Sequence, residues 1–230
     1  MKRWVHSVLC VGISILTIFI CLITSIEIAA YSNFGFYQKE YEKYNVLDQL
    51  DMEMEDVMDV TVYMMAYLRG EEEVLSIEKK IEGEVQDFFH EQDRFHMREV
   101  RELFLGGITL RRMACILLIV FCIILFVTKE AWYVMLAGIF QKTLGVFFVV
   151  AVGLSAVIIT NFSKCFDIFH KIFFDNDLWI FDAKTDFMIR MLPEGFFYDM
   201  VIRIGVIFII SLILLFAGSI FLKKKTKKEN

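Results

Sequence analysis

A single proline, Pro193, interrupts 230 residues, and none of the five cysteines forms a CxxC pair. Scarce proline removes the main obstacle to long, unbroken helices. Cys10, Cys21, Cys115 and Cys122 sit inside apolar runs, where a thiol behaves as a small hydrophobe, and Cys165 stands alone beyond them. No disulfide framework and no cysteine-based metal site are expected. The chain also lacks an HExxH motif, two histidines four residues apart, a glycine-rich phosphate loop and an internal repeat. Zinc-protease, nucleotide-binding and repeat-protein readings therefore have no signature to stand on.

What the chain has in excess is apolar side chain, at 57% hydrophobic with 24 phenylalanines. A bilayer core takes about 20 apolar residues per helix, and four stretches approach that: 8–30, 113–127 with its flanks, 143–162 and 200–222. The second is short, so Arg111 and Arg112 are expected to snorkel at its start. AWYVMLAGIF, 131–140, is too short to span alone and reads as an interfacial connector anchored by Trp132 and Tyr133. Past Glu27 and Tyr31 there is no small-residue cleavage site, so the first run reads as a retained helix rather than a signal peptide. Lys2, Arg3, Lys129, Lys142 and the KKKTKK of 223–228 all fall on one side of a four-span arrangement, which places both termini in the cytoplasm.

The net charge of −5 hides an asymmetry: residues 31–112 carry 19 acids against 10 bases. There, Leu47, Leu50, Met54, Val57, Met58, Met65 and Leu68 recur at helical spacing, with the acids of MEMEDVMD as a solvated face. After YLRG (67–70), Val85, Phe88, Phe89, Phe95, Val100 and Leu103 suggest a second amphipathic helix, without competing strand alternation. The expected architecture is an all-α integral membrane protein with four transmembrane helices and an extracellular helical cap. Its parts are a first transmembrane helix (1–30), the extracellular cap (31–112), second and third transmembrane helices with a cytoplasmic interfacial connector (113–162), a second extracellular segment (163–199), a fourth transmembrane helix (200–222) and a basic cytoplasmic tail (223–230). The tail suits anionic lipid. Pro193 and Glu194 are placed to end the second extracellular segment and start the last helix.

Four histidines remain. His6 receives no role, and His90 falls on a polar, solvated side. His96 shares an apolar face with Val100 and Leu103, with Asp93 three residues before it and Glu99 three after. His170, inside FDIFHKIFFDNDLW, has Asp167 three before and Phe174 four after. From the residues alone three functions stay open: histidine acid–base chemistry at a membrane face, metal-dependent hydrolysis by a His/Asp/Glu set, and a non-catalytic module that binds lipid or a partner.

RFHMREVREL (94–103) resembles the HMxDV-type signature of the lipoprotein intramolecular transacylases, a family of small four-span bacterial membrane proteins. FHKIFFDNDLWIFDAKTDFMIRMLPEGFF (169–197) is similar to that family's second signature, a histidine with aromatics, Asn and Trp, then a Pro-Glu-x-Phe-Phe ending. Glu99 departs from the family's usual aspartate, keeping the carboxylate but moving it by a methylene. The resemblance covers essentially the whole chain. It implies an enzyme of the bacterial cytoplasmic membrane, with its active site at the extracellular face, that moves the sn-2 acyl chain of a diacylglyceryl lipoprotein to the α-amino group of its N-terminal cysteine, giving the lyso-form. On that resemblance His96 and His170 are the catalytic pair, without assignment of which is the base, and Asp93, Glu99, Asp167 and Asn176 support them. Phe166, Phe169, Phe173, Phe174 and Trp179 enclose the glyceryl group and acyl chains. No cofactor, metal or nucleic acid is implied; the partners are the lipoprotein and membrane lipid, and a monomer is expected.

Overall fold

The computed structural model describes residues 2–128 and 132–229, with 225–229 described in backbone alone. Lys129 and Ala131, at the expected connector, and the side chains of Lys225, Lys227 and Lys228 lie outside the described residues. In chain order the elements are α1 (Arg3–Tyr31), α2 (Gly35–Lys43), α3 (Val46–Leu50), α4 (Met54–Arg69), β1 (Glu78–Ile81), β2 (Glu84–Asp87), α5 (Glu91–Thr128), α6 (Trp132–Thr160), α7 (Phe162–Phe173), α8 (Phe187–Met191) and α9 (Glu194–Glu229). Among the described residues four helices are long and apolar enough to cross a membrane: α1, α5, α6 and α9.

The helices form two compact units. The first comprises Met1–Ile28, Ile108–Thr160 and Ile204–Asn230. Cys10, Ile13 and Leu125 pack there against Phe121, Trp132 and Leu136, while Ile18 packs on Phe208 and Leu212. Gly12 permits the closest approach, since a Cβ at that position would lie 3.0 Å from the Phe121 ring. Ser14 and Ser25 return their hydroxyls to the carbonyls of Cys10 and Cys21, each at 2.7 Å, so neither presents a bare polar group to hydrocarbon. Arg111 does not snorkel alone: it is ion-paired with Glu27 and reaches Thr24. His6 is buried and bonds Thr128 at 3.2 Å.

Trp132 to Phe140 is not a separate connector. It forms the first turns of α6, one unbroken helix of 29 residues. At 1.5 Å per residue that is about 44 Å, longer than the roughly 30 Å hydrocarbon core, so one helix accommodates both the aromatic anchor and the apolar run. None of the most apolar window of α6 is buried inside the chain. Such a surface has to be solvated by lipid.

The second unit comprises Ala29–Gly107 and Asn161–Arg203. Along α4, Val57, Val60, Met64 and Leu68 are buried at helical spacing beside Tyr37, Tyr41, Phe88, Phe187, Met191 and Phe196. Tyr41 and Thr61 share a buried hydroxyl pair at 2.6 Å. The YLRG stretch is the end of α4. Gly70 adopts φ +83, with its N–H on Tyr67 and that of Glu71 on Ala66, a Schellman-type stop.

The expected second amphipathic helix begins later than its pattern suggested. Residues 78–87 form an antiparallel hairpin, closed by Glu82 and Gly83 with φ of 54 and 89, the backbone of a two-residue hairpin turn. Ile81 points inward and Val85 is 73% exposed, so Val85 belongs to no helical face. Phe88 and Phe89 enter the core from the loop that follows. The acids expected to be a solvated face also have work here: Asp56 and Asp59 hold Lys79 of β1 at 2.8 and 2.7 Å.

Two glycines in this unit predict opposite responses to alanine. Gly70→Ala forces an L-residue into the left-handed region, at a cost of about 1–2 kcal/mol. Gly106, inside α5 with open space around its Cβ position, gains about 0.5–1 kcal/mol from the same change. Thermal unfolding in detergent should show a lowered midpoint for the first and an unchanged or raised one for the second.

Candidate active site

The start of α5 sets the frame. Asp93 accepts the backbone N–H of His90 at 2.8 Å, the reciprocal half of a capping box. It is fully buried, and burial pushes its carboxyl up to about 6 against the pull of that N–H. Asp93 thus starts the helix rather than pairing with the histidine that follows. Gln92, His96 and Glu99 stand at i, i+4 and i+7, which puts them on one stripe of α5. His90 is not simply solvated: its ring lies 5.2 Å from Phe187 and its Nδ1 3.6 Å from Asp186.

Helix α7, whose first turn is capped by the Asn161 side chain, ends at Phe173, and Phe174 continues in extended conformation. The chain then crosses the α5 stripe as a strap, 174–186. Asn176 fastens it, donating from Nδ2 to Glu99 Oε1 at 2.8 Å and accepting the Leu178 N–H on Oδ1 at 2.9 Å. Gln92 fastens it again, donating from Nε2 to the carbonyls of Leu178 and Ile180, both at 3.0 Å. Trp179 lies between those two carbonyls and is therefore held from both sides.

His170 is the one buried residue of α7. Its Nδ1 lies 2.8 Å from the Phe166 carbonyl, and a carbonyl can only accept, so Nδ1 carries the proton and Nε2 keeps its lone pair. The Trp179 ring stacks on it at 4.7 Å and 25°, with Phe166 at 4.3 Å and Phe169 edge-on at 5.5 Å. His96 meets the edges of Phe174 at 4.9 Å and Phe181 at 5.6 Å. The two imidazoles are 5.9 Å apart between ring centres.

Burial, with the neighbouring His170 adding to it, brings His96 down to about 4. Burial also lowers His170, against the Phe166 carbonyl and Asp167, which favour the charged form. Both rings are therefore uncharged at neutral pH. Asp167 itself lies exposed on α7, and Phe173 turns outward, touching Phe169 at 4.7 Å rather than either histidine. Of the expected aromatic set, Phe166, Phe169, Phe174 and Trp179 surround the pair. Phe181 and Gln92 complete the site without having been expected. The stripe shared by Gln92, His96 and Glu99 was the available signal for Gln92.

Buried polar atoms with no partner in the chain concentrate here: Asp93 Oδ1, His96 Nδ1, Glu99 Oε2 and Trp179 Nε1 are four of the six found among the described residues. Native structures pair nearly all such groups, so a cluster of exceptions marks these residues as a candidate functional site. Among the described residues no three His, Cys, Asp or Glu side chains gather as a metal site requires.

Residues 11–197 match the family model described as lipoprotein intramolecular transacylase Lit. An uncharacterized protein of Aquifex aeolicus (strain VF5) is 33% identical over 93 residues, 39% of this chain, and the chain spans only 40% of that relative's length. Among solved structures, the membrane integral lipoprotein intramolecular transacylase Lit from Bacillus cereus aligns with a TM-score of 0.80 at 20% identity, over 99% of this chain and 100% of that one. Two further structures of the same Bacillus cereus protein, each with one histidine replaced, by alanine or by arginine, align with TM-scores of 0.75 and 0.76 at 20% identity, over 97% and 98% of this chain and 96% and 95% of theirs. At that identity the structural likeness speaks for the fold, and the family model, which takes in both histidines and most of the sequence, speaks for descent. The chain belongs to the lipoprotein intramolecular transacylase family.

Proposed function

We propose that this chain moves the sn-2 acyl group of a diacylglyceryl lipoprotein onto the α-amine of its N-terminal cysteine. The observation that carries the reading is the pair of buried, uncharged imidazoles from separate elements, one with its tautomer set by a backbone carbonyl. The cysteine nitrogen attacks the ester carbon, forming the N–C bond, and His170 Nε2 takes the proton the nitrogen sheds. As the tetrahedral intermediate collapses, the bond between the acyl carbon and the glyceryl oxygen breaks and His170 returns the proton to that departing oxygen. One ester becomes one amide and one free hydroxyl, with no net proton change. His96 accepts the second amine N–H and keeps the nitrogen lone pair turned toward the ester. Phe166, Phe169, Phe174 and Trp179 pin the glyceryl group and the first carbons of the acyl chains, while Glu99 and Asn176 hold the strap.

The enzyme acts as a monomer in the bacterial cytoplasmic membrane, with both termini cytoplasmic and residues 31–112 and 163–199 outside. The lysine and arginine placement supports that orientation. A lipoprotein anchored by its acyl chains presents ester and amine together at the outer boundary. That the Bacillus cereus relative was studied with a histidine replaced is in keeping with a histidine-centred site.

Mass spectrometry of lipoprotein N-termini from cells lacking and expressing this chain tests the activity directly. Expression should convert diacyl lipoproteins with a free amine to N-acylated lyso-forms. His96→Asn and His170→Asn should each accumulate in the membrane yet lower turnover by about 10²- to 10⁴-fold; near-normal conversion in either returns that imidazole to a packing role.

The pH profile carries a separate expectation. Both histidines ionise below the ordinary 6.5, so their protonation removes activity only as pH falls below that value. The rise of kcat/KM through neutrality then follows the substrate amine, with a reference value of about 7.7–8.0. A profile that instead turns over near 6.5 shows a histidine titrating in its usual range.

Orientation is tested with Glu72→Cys in a background without the native cysteines. An impermeant maleimide should label it in intact cells, and labelling confined to disrupted cells reverses the assignment of sides.

A further inference from the structure

We infer that the indole N–H of Trp179 donates to the ester oxygen as negative charge develops on it, making Trp179 the oxyanion donor of the site; this rests on the acyl-transfer reading above. Trp179 Nε1 is buried and has no hydrogen-bond partner in the chain. An indole N–H is a donor and nothing else, and leaving it unpaired out of water is unfavourable. The structure nevertheless fixes it there: Gln92 binds the carbonyls of Leu178 and Ile180 on either side, Asn176 binds the Leu178 N–H, and the ring is stacked on His170 at 4.7 Å.

The other polar groups of the site are committed or of the wrong kind. Gln92 donates both N–H groups of its amide to the strap, His170 Nδ1 donates to Phe166, and Asn176 Nδ2 is held in place by the N–H it donates to Glu99. Asp93 Oδ1 and Glu99 Oε2, also unpartnered, are carboxyl oxygens and not fixed donors. His96 Nδ1 donates or accepts according to its tautomer. Of the unpartnered buried atoms at the site, the indole alone is a donor in every protonation state. Its ring also stacks on the imidazole that takes the amine proton, 4.7 Å between centres, so the indole is in contact with the group beside which the ester is attacked. A donor fixed before the reaction, in a pocket of low polarity, stabilises the oxyanion without reorganising.

The test replaces one atom. Incorporation of 3-benzothienylalanine at position 179 keeps the size and stacking of the side chain but exchanges N–H for sulfur. Turnover of a diacylglyceryl lipopeptide should fall by about 10²- to 10³-fold, with KM and the thermal midpoint little changed. The same replacement at Trp4, which is exposed on α1, should leave turnover as it was. A position-179 variant within about threefold of the parent overturns the proposal. A parent that makes no N-acyl product under these conditions overturns the acyl-transfer reading itself, a failure of a different kind. A second measurement does not depend on turnover: with ¹⁵N-indole labelling, a phosphonate lipid that mimics the tetrahedral anion should move the Trp179 N–H proton resonance downfield, assigned by its loss in Trp179→Phe. An unmoved resonance with the phosphonate bound also overturns it.

Discussion

The hydrogen bond from Asn176 to Glu99 joins chain segments 77 residues apart and decides where the site can be. His96 and His170 belong to different helices, and nothing in either helix alone brings the rings together. The strap does so, because it leaves α7 one turn after His170 and is tied down along the face of α5 that carries His96. A hydrogen bond to a charged group contributes about 1.5–3 kcal/mol, and each ring pair about 0.5–1.5 kcal/mol. No single contact of that size holds two imidazoles at 5.9 Å. The fastenings act together, with Asn176 and Gln92 fixing the backbone and the rings of Phe174, Trp179 and Phe181 filling the space it encloses.

This arrangement is unfavourable in its own right. Orphaned buried polar atoms cost about 1–3 kcal/mol each, and four of them lie at the site. The offset comes from the apolar core of the same unit, where Tyr37, Tyr41, Val57, Val60, Phe88 and Met191 are almost wholly buried. The burial that leaves those atoms unpartnered also keeps both imidazoles uncharged. Local instability and chemical readiness thus share one cause, the removal of water from a small set of polar groups.

Much of this was legible in the sequence, and the exceptions have physical reasons. Long apolar runs and the scarcity of proline pointed to four membrane helices; the carboxylates one turn from His96 and His170 drew notice to those two histidines, and the likeness of their flanking stretches to the family signatures picked out the pair. The hairpin at 78–87 escaped because Val85, Phe88 and Phe89 happen to fall at helical intervals, although two of them enter the core from a loop. Glu82 and Gly83, with positive φ, carried the true signal, and a glutamate is an uncommon residue in that turn. The unbroken α6 escaped because the length of an apolar run measures what lipid requires and not where a helix stops. Asp93 was visible as a carboxylate near His96, but spacing alone could not show that the His90 backbone N–H has the stronger claim on it. Phe181 became visible only once the strap was in place, since its partner is distant in sequence; Gln92 shared a stripe with His96 and Glu99, but its bonds to Leu178 and Ile180 could not be read from that spacing.

A lowered basicity looks at first like a poor property for a base facing an amine. The proton to be moved is not a ground-state proton, however. While the amine is free its N–H is a very weak acid, and no histidine need take it. As the N–C bond forms, nitrogen gains positive charge and its N–H becomes strongly acidic, so a base of modest strength suffices at that moment. Holding both reacting groups on one molecule supplies much of the remaining advantage, because correct placement of tethered partners is worth about 7–11 kcal/mol even where, as here, a ring of about eight atoms must close. An imidazole that stays neutral until the bond is forming acts on the transition state more than on the bound substrate, and only such differential interactions raise the rate of the chemical step. Burial of His170 beneath Trp179 is therefore consistent with its proposed role as the base.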